Sequence, residues 1–353
     1  MTANRSVDRD KSAGEHVQAG NGRHDDLDAL TGLGRALAAA GEIPGAVEAF
    51  HKAILILLDA AMFPQAKRLI DEARSSGVDH PAFDDYKEAV DSAPVFFGFQ
   101  GTHAPERQVY MSAAVHMLGT AGRPISILEI GTYMGASMIT WARAIERFSG
   151  GIGEIYCLDP WDGADSAQYD DHMAEDIQSG LAYRVFQNAT RFVGDGIKVT
   201  ELRGFSDDIL PTLAGMTFDI IYVDGCHLHP EVLNDLRSAD ALLSIGGFMC
   251  GDDLEVQLHE LDRELVEANA RNDFVLVDGG GGLGFHPGVT LGVGTFFGPV
   301  SAFGGFWIMR KTAEGYRPVQ MRGKGLLPYH WPQEFVEQAR RAVVDAGLLH
   351  EIL

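Results

Sequence analysis

Cysteine is scarce. The chain has three, Cys157, Cys226 and Cys250, with no C-x-x-C pair among them, which excludes a disulfide framework. Basic residues are few as well: 28 Lys and Arg stand against 50 Asp and Glu, a formal net charge of −22. A surface so short of positive charge is not built to track nucleic-acid phosphates, nor does it supply a polybasic membrane anchor. Long apolar runs are also missing. The run from Ala53 to Ala61 is interrupted by Asp59, well short of the roughly 20 residues a membrane span needs. The stretch Met1 to Gly20 is polar and has no apolar core of a secretion signal. What the chain does have is 46% hydrophobic content over 353 residues, ample for a core and long enough for two or three domains. The expectation is a soluble, cytoplasmic protein whose partner is a small molecule, with no nucleic acid and no membrane.

Residues 1–24 are rich in Asp, Arg, Ser, Gly and Asn and read as a disordered leader. From Leu27 a helical period begins: Leu30, Leu33 and Leu37, then Ile43, Val47, Phe50 and Ile54. Gly41 fits a turn between these runs, and Pro44 fits the first turn of the second helix. A third run, Ala66, Leu69, Ile70 and Ala73, follows Pro64 and stops near Gly77. The segment "LGRALAAAGEIPGAVEAFHKAI" resembles a tetratricopeptide-type helical hairpin, with Leu33-Gly34, Gly41, Ala46, Phe50 and Ala53 at the usual places. One and a half such units cannot cover their own apolar faces. The helical segment 25–92 is therefore expected either to bind or dimerise with a partner or to pack on the domain that follows it or on its twin.

From about residue 93 the pattern becomes α/β. Strand-like segments Ile127–Ile130, Ile155–Leu158, Phe218–Val223 and Gly247–Cys250 alternate with helical stretches, and "KVTEL" (Lys198–Leu202) supplies one more. Such alternation predicts a mostly parallel, Rossmann-like sheet with helices on both faces. Ligands in these sheets sit at the carboxyl ends of the strands, so the residues just past each strand carry the information.

Past the first strand stands Glu129-Ile130-Gly131-Thr132-Tyr133-Met134-Gly135-Ala136-Ser137. The two glycines permit a tight turn and a close backbone approach, and Ser137 opens a helix whose amide end favours anionic groups. This is neither G-x-G-x-x-G nor a Walker loop. Past the second strand comes Asp159-Pro160-Trp161, where a carboxylate suits a ribose diol of either a nicotinamide or an adenosyl cofactor. Past the third, Ser206 and Asp207 suit an adenine edge or a plain helix cap. "FDIIYVDGCH" places Asp224 past the next strand, and "GGFMCGDD" places Asp252 and Asp253 past the one after. Parallel strands lie about 4.8 Å apart, so three carboxylates converge. They repel unless a cation sits among them or some are protonated. All-oxygen ligation favours Mg²⁺ over Zn²⁺.

At this point the residues resemble a class I S-adenosylmethionine-dependent methyltransferase of the metal-dependent O-methyltransferase branch. "LEIGTYMGAS" is similar to the cofactor loop of catechol O-methyltransferases, and "VDGCHLHPEVLNDLRSADALLSIGGFMCGDD" resembles a stretch of bacterial small-molecule and sugar O-methyltransferases. The resemblance covers about residues 95–312. It implies that Asp224, Asp252 and Asp253 bind Mg²⁺. It also implies that Glu129, Gly131, Thr132, Tyr133, Gly135, Ser137, Asp159, Trp161, Ser206, Asp207 and Asp224 line S-adenosyl-L-methionine. His227 stands where catechol enzymes carry a lysine base and where the macrolide sugar O-methyltransferases carry histidine. A neutral imidazole there accepts a hydroxyl proton near pH 7. The implied reaction is Mg²⁺-dependent methyl transfer to a hydroxyl of a sugar, polyketide or other secondary metabolite. Two other readings stay open: an oxidative tailoring enzyme on the same scaffold, which the lack of a compact His/His/carboxylate signature disfavours, and a non-catalytic assembly protein.

The remaining segments carry weaker signals. "FVLVDGG" and "GFWIMRK" fit the terminal antiparallel strand pair of class I methyltransferases. The glycine-rich 279–298 between them reads as a lid, with His286 or Phe296 touching substrate, or as a loop of no chemical role. The insert from Trp161 to Met173 is a second candidate for closure. His229 reads as a helix-start residue and Cys226 as packing. The end of the chain, 313–353, is expected to form a helical extension from Pro332, packing on the domain or on a second subunit of a homo-oligomer.

Overall fold

The computed structural model describes residues 26–59, 63–91, 106–119, 123–162, 171–277, 284–327 and 333–345. The expected leader, 1–24, lies outside them, as do residues 163–170 of the insert after Trp161 and 278–283 of the glycine-rich stretch. The chain divides into two units, Met1–Ser92 and Ala93–Leu353. No helix among the described residues is long and apolar enough to cross a membrane.

The first unit is helical: α1 (26–39), α2 (Ile43–Asp59), α3 (Phe63–Ser75) and α4 (Ala82–Asp91). Its small and aromatic residues make the core, with Ala46, Phe50, Ala53, Ile54, Ala66, Ile70, Ala73 and Phe83 fully buried. Gly41 turns the chain between α1 and α2. Leu33 departs from the periodicity reading, since half its surface is exposed.

The second unit is built on an eight-stranded sheet. Its strands are β1 (Ile125–Ile130), β2 (Gly153–Asp159), β3 (Ile197–Arg203), β4 (Phe218–Val223), β5 (Leu243–Leu254), β8 (Ser301–Phe303), β9 (Gly305–Thr312) and β10 (Gly315–Pro318). The order is β10-β9-β5-β4-β1-β2-β3, with β8 paired to β9. Strands β1 to β5 run parallel, and β9 and β10 close that edge antiparallel. Strand β4, "FDIIYV", is buried throughout, as a central strand covered on both faces must be. The core pools Leu128, Ile130, Phe218, Ile221, Met249 and Trp307 from the sheet with Val232, Leu236, Val289 and Val293 from helices α10 (Glu231–Leu242) and α12 (Pro287–Phe297). The chain leaves β1 toward β2 and β3 and returns beside β1 as β4, so strand order reverses between β1 and β4. That reversal opens a crevice at their carboxyl ends.

Two sequence expectations change. Among the described residues, "FVLV" does not join the sheet: β6 (Val275–Leu276) pairs with β7 (Gly284–Phe285), and the antiparallel edge is "GFWIMRK" with β10. The glycine-rich stretch is not a loop where it is described. Pro287–Phe297 is a helix with Pro287 to Val293 buried. Glycine weakens a helix by about 1 kcal/mol per position, but at Gly288 a Cβ would lie 2.1 Å from the carbonyl oxygen of His227. Only glycine permits that approach, and packing outweighs propensity.

Candidate active site

The loop after β1 is held by Asp159 at the end of β2. One oxygen of Asp159 accepts the backbone N–H of Thr132 (3.1 Å) and of Tyr133 (2.8 Å); the other accepts that of Trp161 (2.8 Å). Trp161 in turn donates its indole N–H to the carbonyl of Tyr133 (2.6 Å), and the Tyr133 hydroxyl donates to Asp176 (2.8 Å). The Trp161 ring is buried against Phe186 and Tyr183. A carboxylate has about four acceptor positions, and three are used here by the protein's own backbone. Gly131 faces the other way. It has φ +87°, and a Cβ on it would lie 2.0 Å from the carbonyl oxygen of Asp224, while the N–H of Asp224 donates to Ile130 (2.8 Å). The loop and the end of β4 are thus in backbone contact across the switch point.

Beneath the loop lies Glu129, fully buried. Neither of its oxygens has a hydrogen bond of full geometry. Burial pushes its carboxyl up to about 8, against the pull of neighbouring Ser137, Thr132 and Trp141. A buried carboxyl short of donors fits an amino-acid ligand, which brings an ammonium group, so these residues are chemically suited to S-adenosylmethionine. Ser206, at the start of α9 (Ser206–Ile209), is turned to a hydrogen bond with Asp235 of α10. Asp235 is buried and its carboxyl is raised to about 7 by that burial. Asp207 sits in the first turn of the same short helix.

The ends of β4 and β5 are built from charge. Asp252 and Asp253 do not follow β5 but lie inside it, since the strand runs to Leu254. Neighbours on a regular strand face opposite sides. Here the register with β9 shifts between Gly251 and Leu254, and Asp253 has φ +61°. The bulge re-aims the two acids separately. Asp252 pairs with Arg107, the first residue of α5 (Arg107–Leu118), whose guanidinium also lies 3.9 Å from Asp224. Asp253 accepts from His227 Nε2 (3.0 Å), while His227 Nδ1 is 2.8 Å from Asp273. His286, at the start of α12, is bonded to Glu255 (3.0 Å), and its ring meets that of His227 edge-on at 4.7 Å. Tyr222 donates its hydroxyl to Asp224 (3.1 Å). Backbone strain gathers at the same place. The three non-glycine residues with positive φ among the described residues are Tyr133, Trp161 and Asp253, one each at the ends of β1, β2 and β5.

The electrostatics follow from burial. Desolvation drives Asp224 well above its ordinary value, with Asp253 adding repulsion and Arg107 only partly offsetting it. Desolvation likewise raises Asp252 to about 6 against the pull of Arg107. Asp253 goes the other way: burial opposes its ionisation, but His227 and His286 hold it well below the usual carboxylate range. His227 is raised well above an ordinary imidazole, because Asp253 and Asp273 outweigh its own burial. Those two carboxylates favour its protonated form.

The expected trio therefore splits. Ligand atoms of Asp224, His227 and Asp253 lie within 4.8 Å of one another, and so do those of His227, Asp273 and His286 and those of Asp253, Glu255 and His286. Asp252 is in none of these groups and is held by Arg107. A His/His/carboxylate set, invisible as a compact sequence motif, is assembled by the fold from positions 227, 273 and 286. Phe296, expected near substrate, is instead packed into the core beside Phe297 and Tyr316. Five carboxylates (Asp224, Asp252, Asp253, Glu255, Asp273) face three cationic side chains (Arg107, His227, His286). The acids outnumber the cations, and their oxygen donors suit a hard divalent ion such as Mg²⁺. Arg107, Asp235, Glu255 and Asp273 had no sequence signal, since each is brought in from a different element.

Residues 128–254 match a family model described as a methyltransferase domain. The match runs from Leu128 in β1 to Leu254 at the end of β5, so it encloses the glycine loop and both acidic strand ends. Among solved structures the chain is similar to the O-methyltransferase NovP, at 16% identity and TM-score 0.38, over 59% of this chain and 80% of that one. It is also similar to an O-methyltransferase from Bacillus cereus (20%, TM-score 0.30, 49% and 73%) and to the O-methyltransferase TomG from Streptomyces achromogenes (20%, TM-score 0.36, 64% and 90%). No curated protein matches the chain.

Proposed function

We propose that the methyltransferase domain moves the methyl group of S-adenosylmethionine to a hydroxyl of a small molecule, a sugar or polyketide rather than a catechol, with Mg²⁺ at the acidic strand ends. The observation that carries this reading is the backbone contact between Gly131 and Asp224, which sets a cofactor-type loop directly against a cluster of acids. Asp224 and Asp253 would hold the ion, with Asp252 as a third ligand. When bound, the ion acidifies the acceptor hydroxyl and takes up carboxylate charge that keeps His227 protonated.

The chain's own residues then have distinct tasks. Asp159 and Trp161 fix the loop through three backbone N–H bonds and an indole bond, so the cofactor meets a preformed wall. Asp273 holds His227 at Nδ1, leaving Nε2 aimed at Asp253 and the acid cluster. His227 is the group placed to take the hydroxyl proton at Nε2, a role worth roughly 10²–10⁴-fold. Methyl transfer from labelled S-adenosylmethionine into a panel of deoxysugars, glycosylated macrolactones and catechols tests the reading. Transfer that stops with EDTA and returns with Mg²⁺ supports it; transfer indifferent to EDTA removes the metal.

One observation favours a second reading, oxidative tailoring. The His227, Asp273 and His286 set is of a kind that holds redox-active iron. Fe²⁺-dependent consumption of O₂ with the same acceptors, and no methyl transfer, would replace the first reading with this one.

A further inference from the structure

We infer that Arg107 is a resident counter-ion of the acid cluster, competing with a divalent metal for Asp252 and Asp224. The inference rests on the Mg²⁺ reading above and adds to it a residue that controls how tightly the ion is held. Each carboxylate of the β5 bulge has its own cation. Asp253 has His227, and Asp252 has Arg107. The two cations differ in kind. An imidazolium can give up its proton when a metal takes its carboxylate, whereas a guanidinium stays charged at any pH the protein survives. Arg107 is also fixed in place: it is buried at the start of α5, and the helix is buried from Arg107 through Val115. Its guanidinium pairs with Asp252 and stands 3.9 Å from Asp224, so it already occupies the side of the cluster that a divalent ion would approach. A metal held by Asp224 and Asp252 must therefore displace the guanidinium from Asp252 or tolerate it as a close like charge. Either course weakens binding. Among the described residues, Asp252 is in none of the groups whose ligand atoms lie within 4.8 Å of one another, although it neighbours Asp253 in the chain.

The test is a titration of free Mn²⁺ by electron paramagnetic resonance, on the full chain without cofactor or acceptor, for wild type, Arg107→Gln and Arg107→Lys. Removing the charge is expected to tighten Mn²⁺ binding by at least about tenfold, while the lysine variant stays within about threefold of wild type. Arg107→Gln should also melt at lower temperature in EDTA and recover when Mn²⁺ is added, because the ion replaces the lost counter-charge. In wild type, added Mg²⁺ should shift the Arg107 Nε–H resonance and speed its exchange, a readout that needs no glutamine variant. Equal or weaker Mn²⁺ binding by Arg107→Gln, beside clear binding by wild type, overturns the role of Arg107 and leaves the metal reading standing. Mn²⁺ binding by none of the three overturns both.

Discussion

The two sides of the switch point are built from different materials. At the ends of β1 and β2 the loop is pinned by backbone N–H groups on one carboxylate, and every contact is short and local to a strand end. At the ends of β4 and β5 the contacts are between side chains of opposite charge, drawn from α5, the β4–α10 turn, the β5 bulge and the residues flanking β6 and α12. Backbone N–H groups gathered on one carboxylate set a fixed shape. Ion pairs set a balance, in which a change of one partner is felt by the rest. On the proposed reading, the cofactor side is preformed and the acceptor side adjustable.

The largest effect should come from the one position that serves both sides. Gly131→Ala puts a Cβ into the carbonyl of Asp224, and we expect transfer to fall at least about 10²-fold with cofactor affinity and metal affinity lost together. Loss of only one of them would show that the two sides are not joined there. Next, Asp224→Asn should abolish measurable transfer while binding of S-adenosylmethionine, followed calorimetrically, changes by less than about threefold. A variant that still turns over removes Asp224 from the chemistry. His227→Ala should lower kcat at least about tenfold, again with cofactor binding retained. An unchanged rate at pH 7 would rule out His227 as the base.

Asp159→Asn probes the preformed side alone. Three bonds to a charged acceptor weaken together, and a loss of about 2 kcal/mol in stability with weaker cofactor binding is expected, without change in Mn²⁺ affinity. The smallest effect is at Glu129. Its carboxyl sits at about 8 in the fold against 4.5 as an ordinary glutamate. The folded state therefore holds the proton longer, and stability falls as pH rises through that window. Glu129→Gln should gain on wild type by about 2 °C or more in melting temperature between pH 5 and pH 8.5. Parallel pH profiles for the two proteins would contradict the shift.

What could be read from the sequence follows the same division. The parallel strands and the glycine loop were legible because they are local: "LEIGTYMGAS" and "FDIIYVDG" carry their burial and their turns within ten residues. Asp159 and Trp161 stand out in the sequence just past a strand but do not read there as the loop's clamp, since which atoms a carboxylate meets depends on backbone placed 26 and 27 residues earlier. The charged side was legible only in part. Arg107 stands 145 residues from Asp252, and nothing in an isolated arginine at a helix start tells of an acid across the sheet. The helix Pro287–Phe297 was hidden by its own glycines, which lower helix propensity and yet let α12 lie against the backbone of His227.

The bulge in β5 also bears on how such a site can diverge. The ladder to β4 ends at the pair Val223 and Gly251, and pairing with β9 resumes at Leu254. Between those points the strand owes nothing to its neighbours, so gaining or losing one residue there leaves the sheet on either side intact. A regular strand would offer one acid to the crevice; the bulged one offers two, each with a separate counter-charge. A lineage can therefore alter how much charge its crevice carries, and with it which ions and acceptors it tolerates, by a single-codon change rather than by recruiting a new element.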